Sequence, residues 1–280
     1  MISLNAYAKV NLCLYITGVR SDGYHLLDTV MQSISLCDNV SINKRQDNKI
    51  NVTCDITKLS GEKNICYKAA QLFFLETGIK AGADIYIEKR IPLAAGLGGG
   101  SADAAAVLKG LNSAFNHPLS YTKLCEIALK LGADVPFCIN GGTARVKGVG
   151  EDMESIVASL PVYILLVKEG EKPSTAFMYG EYDRKMSGIA KKSSSTSMCE
   201  ALEKNDYNKF ISSLYNDFSF LWDYKDLKQQ LKSLGADGVE ISGSGPTVMG
   251  FFKTREMRDN AYKTLKNKYC EIFCAESVNE

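Results

Sequence analysis

Four of the five residues from Gly96 to Gly100 are glycine, and the cluster stands between a strand-like run and a helix-like one. Ala83-Asp84-Ile85-Tyr86-Ile87-Glu88 alternates with the period of a strand, Lys89-Arg90 ends it, and Ile91-Pro92 leads into the loop. From about Ser101 to Phe115 the pattern becomes helical, with Ala104, Leu108 and Leu111 along one stripe. Residues without a Cβ let backbone amides approach a ligand closely, and a helix N-terminus adds partial positive charge. Strand, glycine loop and helix in this order therefore predict a phosphate site. Ser101 adds a hydroxyl able to reach a phosphate oxygen or a Mg²⁺ ion. A simple turn capping a helix would not need so many glycines.

Two familiar phosphate loops are excluded. The run contains no Gly-Lys-Ser/Thr, as a Walker loop requires, and the acidic ribose partner that a dinucleotide fold places after its second strand is missing.

A second feature is a lysine where a strand should be apolar. Leu4 to Ile16 and Val30 to Ile42 are rich in β-formers, and turn-forming Arg20-Ser21-Asp22-Gly23 lies between them. Lys9 falls inside the first run, and burying its ammonium is costly unless a carboxylate or phosphate faces it. Asp134, in Gly132-Ala133-Asp134-Val135-Pro136-Phe137, follows a helix expected over Ser120 to Leu131 and is flanked by small and apolar residues. It is the expected partner of Lys9; a purely structural ion pair or a solvated edge lysine is the alternative.

The rest of the chain reads as α+β. Ile50 to Cys54 is a short strand, and Ile65, Ala69, Leu72 and Phe73 recur at helical spacing behind a candidate cap, Asn64. Val162 to Val167 reads as a buried strand. Beyond it come helices over Tyr207 to Leu214 and Tyr224 to Leu234, strands over Gly238 to Ser242 and Thr247 to Phe252, a helix over Arg255 to Tyr269 and a strand over Ile272 to Ala275. Lys185 to Ser197, rich in Ser and Lys, is expected as a mobile surface loop. At 280 residues and 45% hydrophobic, two domains are expected, 1–155 and 156–280.

Thirty-three Lys and Arg against 32 Asp and Glu give no electrostatic reason to expect nucleic acid or a membrane as partner. The nine cysteines form no CxxC pair, and His25 and His117 are the only histidines, which argues against structural zinc and leaves a nucleophilic cysteine without an obvious base. Free, mostly buried thiols in a reducing compartment fit better. The N-terminal residues carry no basic segment leading into an apolar one, and no window approaches ~18 apolar residues, so the cytoplasm is the expected location.

Three blocks carry a resemblance. Pro92-Leu93-Ala94-Ala95-Gly96-Leu97-Gly98-Gly99-Gly100-Ser101-Ala102-Asp103-Ala104-Ala105 resembles the second motif of the GHMP kinases. Ala8-Lys9-Val10-Asn11-Leu12 resembles their N-terminal motif, and Gly243-Ser244-Gly245-Pro246-Thr247 their C-terminal glycine motif. The blocks fall in the family's order and span nearly the whole chain. The resemblance implies an N-terminal domain like ribosomal protein S5 domain 2 and a C-terminal ferredoxin-like α/β sandwich. It also implies an ATP-dependent kinase with Mg²⁺, its ATP site formed by residues 92 to 102 together with Gly243, Ser244 and Gly245. Asp134 becomes the general base and Lys9 its catalytic partner, while Asn11 contacts substrate and Ser101 is a candidate Mg²⁺ contact. Ala102 departs from the commoner Ser, so one possible phosphate hydrogen bond is absent or supplied by Ser101 alone; Asp103 begins a helix, where a carboxylate is favoured in any case.

Arg20-Ser21-Asp22-Gly23-Tyr24-His25 resembles the branch of the family whose acceptor is a cytidine-diphosphate-linked methylerythritol, phosphorylated on its 2-hydroxyl in the non-mevalonate route to isoprenoid precursors. Tyr24 offers an aromatic face and His25 hydrogen-bonding groups for a pyrimidine. In Pro173-Ser174-Thr175-Ala176-Phe177-Met178-Tyr179 the branch's pattern places a second aromatic at Tyr179 rather than Phe177, with a core role for Tyr179 nearly as well supported. The alternatives are a GHMP kinase for homoserine, a sugar or a mevalonate-like alcohol, and a non-catalytic nucleotide sensor on the same fold. A small molecule is the expected partner, and the chain is expected as a monomer or homodimer.

Overall fold

Two long strands organise the chain, β1 (Ile2–Val19) and β2 (His25–Arg45). The computed structural model describes residues 1–171, 173–186 and 194–279. They form two compact units, one made of Met1–Lys9, Cys37–Ile91 and Gly98–Gly141, the other of Val10–Leu36, Pro92–Leu97 and Gly142–Glu280. Strands β1 and β2 each contribute residues to both units.

In the first unit, β4 (Gly82–Glu88) pairs antiparallel with the second half of β2 over Asn39 to Arg45, and β3 (Ile50–Cys54) pairs parallel with β4. Four helices belong to it: α1 (Ile65–Thr77), α2 (Gly99–Ala114), α3 (Tyr121–Leu129) and α4 (Val135–Asn140). Asn64 caps α1 as expected, its side chain accepting from the Cys66 amide, a bond worth ~1 kcal/mol. Helix α2 packs against α1 and α4 and is buried on nearly every side, which small residues such as Ala102, Ala104, Ala105 and Ala106 permit. Ile42, whose Cδ1 would lie 2.5 Å from a Cβ on Gly110, meets α2, and Ile85, Ile87 and Phe73 of the same unit are also removed from solvent.

In the second unit, β5 (Thr143–Gly148) pairs antiparallel with the first half of β2 and with β6 (Asp152–Ser155), while β8 (Tyr215–Asn216) runs parallel to β1 at Cys13 and Leu14. A separate four-stranded antiparallel sheet is built from β7 (Tyr163–Lys168), β9 (Gly238–Ile241), β10 (Thr247–Phe252) and β11 (Glu271–Glu276) in the order β11-β7-β10-β9. Helices α8 (Lys225–Ser233) and α9 (Arg255–Leu265) pack on it, burying Leu227, Leu231 and Leu265 against Val167, Ile241 and Phe252. This is the strand order of the expected ferredoxin-like sandwich. Every residue of β10 is buried, as befits an interior strand. The remaining helices are α5 (Thr175–Met186), α6 (Thr196–Glu203) and α7 (Tyr207–Ser212).

Of the surface loop expected over Lys185 to Ser197, residues 187–193 lie outside the described residues. Its ends are helical: Lys185 belongs to α5, and Thr196 opens α6, which buries Met198, Ala201 and Leu202 beneath a polar surface. All nine cysteines are free; Cys13, Cys54 and Cys66 are buried and Cys270 is exposed. Burial pushes the Cys138 thiol up to about 12, so it supplies no thiolate nucleophile near neutral pH. Among the described residues no helix is long and apolar enough to cross a membrane.

Candidate active site

Along a strand, successive side chains point to opposite faces, so Lys9 and Asn11 share one face of β1 while Ala8, Val10 and Leu12 share the other. Lys9 is nearly enclosed, its side chain 6% exposed, and its Nζ lies 3.2 Å from Oδ2 of Asp134, which is 31% exposed. The partner expected from sequence is thus the observed one. Asp134 stands at the N-cap of α4, but its side chain makes no capping bond; its carbonyl instead accepts from the Cys138 amide. A carboxylate there would ordinarily turn back onto the helix amides, whereas here it faces the ammonium and stays reachable from solvent.

The glycine loop enters the same neighbourhood in the first unit. Gly98 is the N-cap of α2 with φ +68°, in the left-handed region that side-chain-bearing residues avoid. A Cβ at this position would lie 2.9 Å from Cγ of Lys9. The missing side chain is therefore what lets the head of α2 lie against the lysine stem. The amides at the first positions of the helix, Gly99, Gly100 and Ser101, have no acceptor inside it. The helix starts two residues earlier than the pattern predicts, since Gly99 and Gly100 carry no side chain to reveal the period.

In the second unit, the earlier part of the loop meets the C-terminal glycine block. Gly96 has φ +78°, and a Cβ on it would sit 2.3 Å from the Ser242 carbonyl oxygen; the Ser242 hydroxyl donates to the Gly96 carbonyl at 3.0 Å. Ala94 also holds a positive φ of 52°, a conformation that costs of order 1 kcal/mol and persists only where neighbours enforce it. The block itself is held by Asn216, whose Nδ2 donates to the carbonyls of Ile241 (3.0 Å) and Gly243 (2.8 Å), and by Trp222, whose Nε1 donates to the Ser244 carbonyl (3.1 Å). Asn11 is buried nearby: its Nδ2 donates to Thr29 Oγ1 at 2.8 Å, and its Oδ1 lies 3.5 Å from where a Gly243 Cβ would stand. Motifs far apart in sequence, at 11, 96 and 243, are neighbours in this unit.

The expected pyrimidine residues also lie in the second unit. Asp22 pairs with Arg20 at 2.7 Å, the Gly23 amide donates to the Arg20 carbonyl, and the Arg20 amide donates to the Tyr24 carbonyl, which closes a turn between β1 and β2. The His25 ring stacks on Tyr179 with centroids 4.4 Å apart, and its Nε2 lies 2.8 Å from Asp183 Oδ1. Tyr182 meets His25 edge-on, and Phe218 meets Tyr179 the same way. Tyr24 is 64% exposed with the Arg20 guanidinium over its ring, and Phe177 is exposed too. The structure thus brings His25 and Tyr179 together and leaves Tyr24 facing water.

Two sets of residues form charge networks that the sequence does not reveal. Asp28 on β2 accepts from Arg145 at 3.0 and 2.8 Å, from the Ser195 amide and from the Ser195 hydroxyl. Burial raises its carboxyl pKa, but Arg145 and Ser195 more than reverse this and leave it lowered. In the first unit, Lys89 lies between Asp38 and Asp103 with all three side chains at most 5% exposed. Burial raises the Asp103 carboxyl to about 7 against the pull of Lys89, while the two carboxylates outweigh burial and hold the Lys89 ammonium above its ordinary value. A charged residue ending a strand gives no sign in sequence that it will be enclosed.

Residues 64–142 match the GHMP kinases N terminal domain, and residues 223–271 match the GHMP kinases C terminal domain. The 4-diphosphocytidyl-2-C-methyl-D-erythritol kinase of Clostridium tetani is 40% identical over 284 residues, covering 99% of this chain and all of the relative. That of Acetivibrio thermocellus is 41% identical over 283 residues, with 99% of each chain covered. A crystal structure of 4-(cytidine 5'-diphospho)-2C-methyl-D-erythritol kinase superposes with a TM-score of 0.80 at 29% identity, over 99% of this chain and 100% of that one. With full-length identity at this level, the chain belongs to the 4-diphosphocytidyl-2-C-methyl-D-erythritol kinase family, within the GHMP kinases.

Proposed function

We propose that the protein transfers the γ-phosphoryl group of ATP to the 2-hydroxyl of 4-diphosphocytidyl-2-C-methyl-D-erythritol, giving the 2-phosphate and ADP, as a cytoplasmic enzyme of non-mevalonate isoprenoid precursor synthesis. The observation that carries this reading is the Lys9–Asp134 pair at 3.2 Å beside the head of α2. In the transfer, a bond forms between the acceptor oxygen and the γ-phosphorus, the bond from that phosphorus to the β-phosphate oxygen breaks, and the hydroxyl proton passes to an Asp134 carboxylate oxygen. Lys9, 3.2 Å from that carboxylate, lowers the cost of negative charge at the acceptor oxygen. The amides from Gly96 to Ser101 serve as donors for the polyphosphate, with Gly243, Ser244 and Gly245 completing the nucleotide site.

Mg²⁺ fits as the counter-ion of the ATP phosphates. Among the described residues no group of three His, Cys, Asp or Glu side chains could hold a metal alone, and a Mg²⁺ carried chiefly by phosphate oxygens and water needs none. Ser101 is the residue to add a hydroxyl ligand, and the ion would offset charge on the phosphates during transfer.

Base recognition is assigned to His25 and Tyr179, with Tyr24 free to close over the pyrimidine, and Asn11 is assigned to the acceptor. The Asp183 contact orients the His25 ring. A nucleotide sensor would have no use for an enclosed lysine facing a solvent-reachable carboxylate. The test is to incubate the pure protein with ATP, Mg²⁺ and a panel of alcohols, following ADP release and identifying the product by phosphorus NMR. The cytidylylated methylerythritol is expected to be consumed far faster than homoserine, mevalonate or sugars; turnover confined to another alcohol would keep the kinase and overturn the substrate.

A further inference from the structure

A lysine just ahead of a glycine-rich phosphate loop invites the reading that its ammonium binds phosphate. The surroundings of Lys89 argue otherwise. Its Nζ donates to Asp103 Oδ2 at 2.6 Å and to Asp38 Oδ2, and its side chain is only 5% exposed. Asp38 is wholly enclosed, and its Oδ1 accepts from the amides of Arg90 (2.5 Å) and Ile91 (2.8 Å). The ammonium is thus committed to two carboxylates, one of which also fixes the two backbone amides that precede the loop.

The other carboxylate sits on the far side of the loop in sequence. Asp103 is the fifth residue of α2, and a Cβ built on Gly99, the first residue of that helix, would lie 3.4 Å from Lys89 Nζ and 3.0 Å from Cγ2 of Ile91. One ammonium therefore ties the chain at residues 89 to 91 to the helix at residues 99 to 103, all within the first unit. Resting on the nucleotide site proposed above, we infer that Asp38, Lys89 and Asp103 form a clamp that holds both ends of the glycine loop at a fixed separation, so that its amides are ordered before ATP arrives. They are positioning residues and touch no substrate. Oδ1 of Asp103 has no hydrogen-bond partner among the described residues, and its Oδ2 accepts from Lys89, which ties α2 into the clamp.

A clamp and a phosphate-binding lysine make different predictions. If the role is to order the loop, losing any member raises the ligand concentration needed for binding, and the losses do not add, because a clamp broken at one point is already broken. Binding of the non-hydrolysable analogue AMPPNP with Mg²⁺, measured by calorimetry without any acceptor, reads the loop independently of which alcohol the enzyme phosphorylates. Full-length Asp38→Asn and Lys89→Met are each expected to weaken AMPPNP binding about 10- to 100-fold, with the double variant no weaker than the worse single one. In turnover the ATP KM should rise by a similar factor, and kcat at saturating ATP should change less than about threefold. Asp103→Asn keeps the shape and an acceptor for Lys89, so it tests the idea even if the other two fail to fold; a severalfold weakening of AMPPNP binding is expected. Unchanged AMPPNP affinity in Asp103→Asn, or a loss confined to Lys89→Met while both Asn variants bind normally, would overturn the clamp, the second outcome by making Lys89 a phosphate ligand. Failure of the wild type to phosphorylate the cytidylylated acceptor would count against the proposed substrate and leave these binding results standing.

Discussion

The neighbourhood of Lys9 and that of His25 solve opposite problems with opposite materials. Around Lys9 the chain removes side chains, with Gly98 pressed to the lysine stem, and encloses a charge that the Asp134 carboxylate faces. Around His25 it adds them, stacking Tyr179 on the imidazole, setting Tyr182 and Phe218 edge-on and leaving Tyr24 in water. Backbone amides and one ion pair suit phosphate, which any ATP-dependent kinase must hold. Aromatic faces suit a base, which only one class of acceptor carries. Damage to the first region should therefore appear in kcat and in the ATP requirement, and damage to the second in the acceptor requirement alone.

The largest expected effect is in the ion pair. Lys9→Met should lower kcat by ~10²- to 10⁴-fold in an ADP-release assay at saturating substrates, with the fold checked by circular dichroism; a change below tenfold would remove Lys9 from the chemistry. Next comes Gly98→Val. Its branched side chain meets both the left-handed backbone and the Lys9 stem, so the ATP KM should rise at least about tenfold and kcat should fall with it as the ammonium is displaced. A rise in KM with kcat untouched would show that the loop and the lysine are less tightly coupled than their contact implies.

His25→Ala and Tyr179→Ala probe the other side of the contrast. Base stacking on an aromatic is worth ~1–3 kcal/mol, so each should raise the acceptor KM by about 5- to 150-fold and leave the ATP KM unchanged. An equal loss for ATP would dissolve the distinction between the two regions. The smallest effect belongs to Asp28, which supports β2 beside the His25 turn. Asp28→Asn should cost ~1–3 kcal/mol in urea unfolding, since the half-buried Arg145 loses a charged partner. The folded carboxyl lies below its ordinary 3.8, so this contribution is fully present above that pH and fades as the pH falls through the folded value. A wild type whose acid sensitivity matches that of the Asn variant would contradict it.

The contrast also explains what could be read from the chain beforehand. A lysine in an apolar strand, a carboxylate before Val-Pro-Phe and four clustered glycines each break a local rule, and such breaches are visible residue by residue. They pointed to Lys9, Asp134 and the glycine loop, which the structure brings together, while period-two alternation marked the strands. The aromatic region follows local rules: Tyr179 sits on an amphipathic helix like any core residue, and only the tertiary fold shows that it meets His25 rather than Tyr24. Lys89 and Asp38 were hidden for a related reason. Their partners lie 14 and 51 residues away from the lysine, so nothing in the local pattern marks the charge as enclosed. The end helices of the Ser- and Lys-rich stretch were missed because a short buried stripe in α6 lies under polar composition.

The central claim is that Asp134 takes the hydroxyl proton with the Lys9 ammonium beside it. Asp134→Asn keeps shape and size but removes the base, so rapid-quench single-turnover transfer from pre-bound ATP to the cytidylylated acceptor tests it without interference from product release. The account predicts transfer slowed by at least ~100-fold with ATP and acceptor affinities near wild type; transfer at close to the wild-type rate would contradict it.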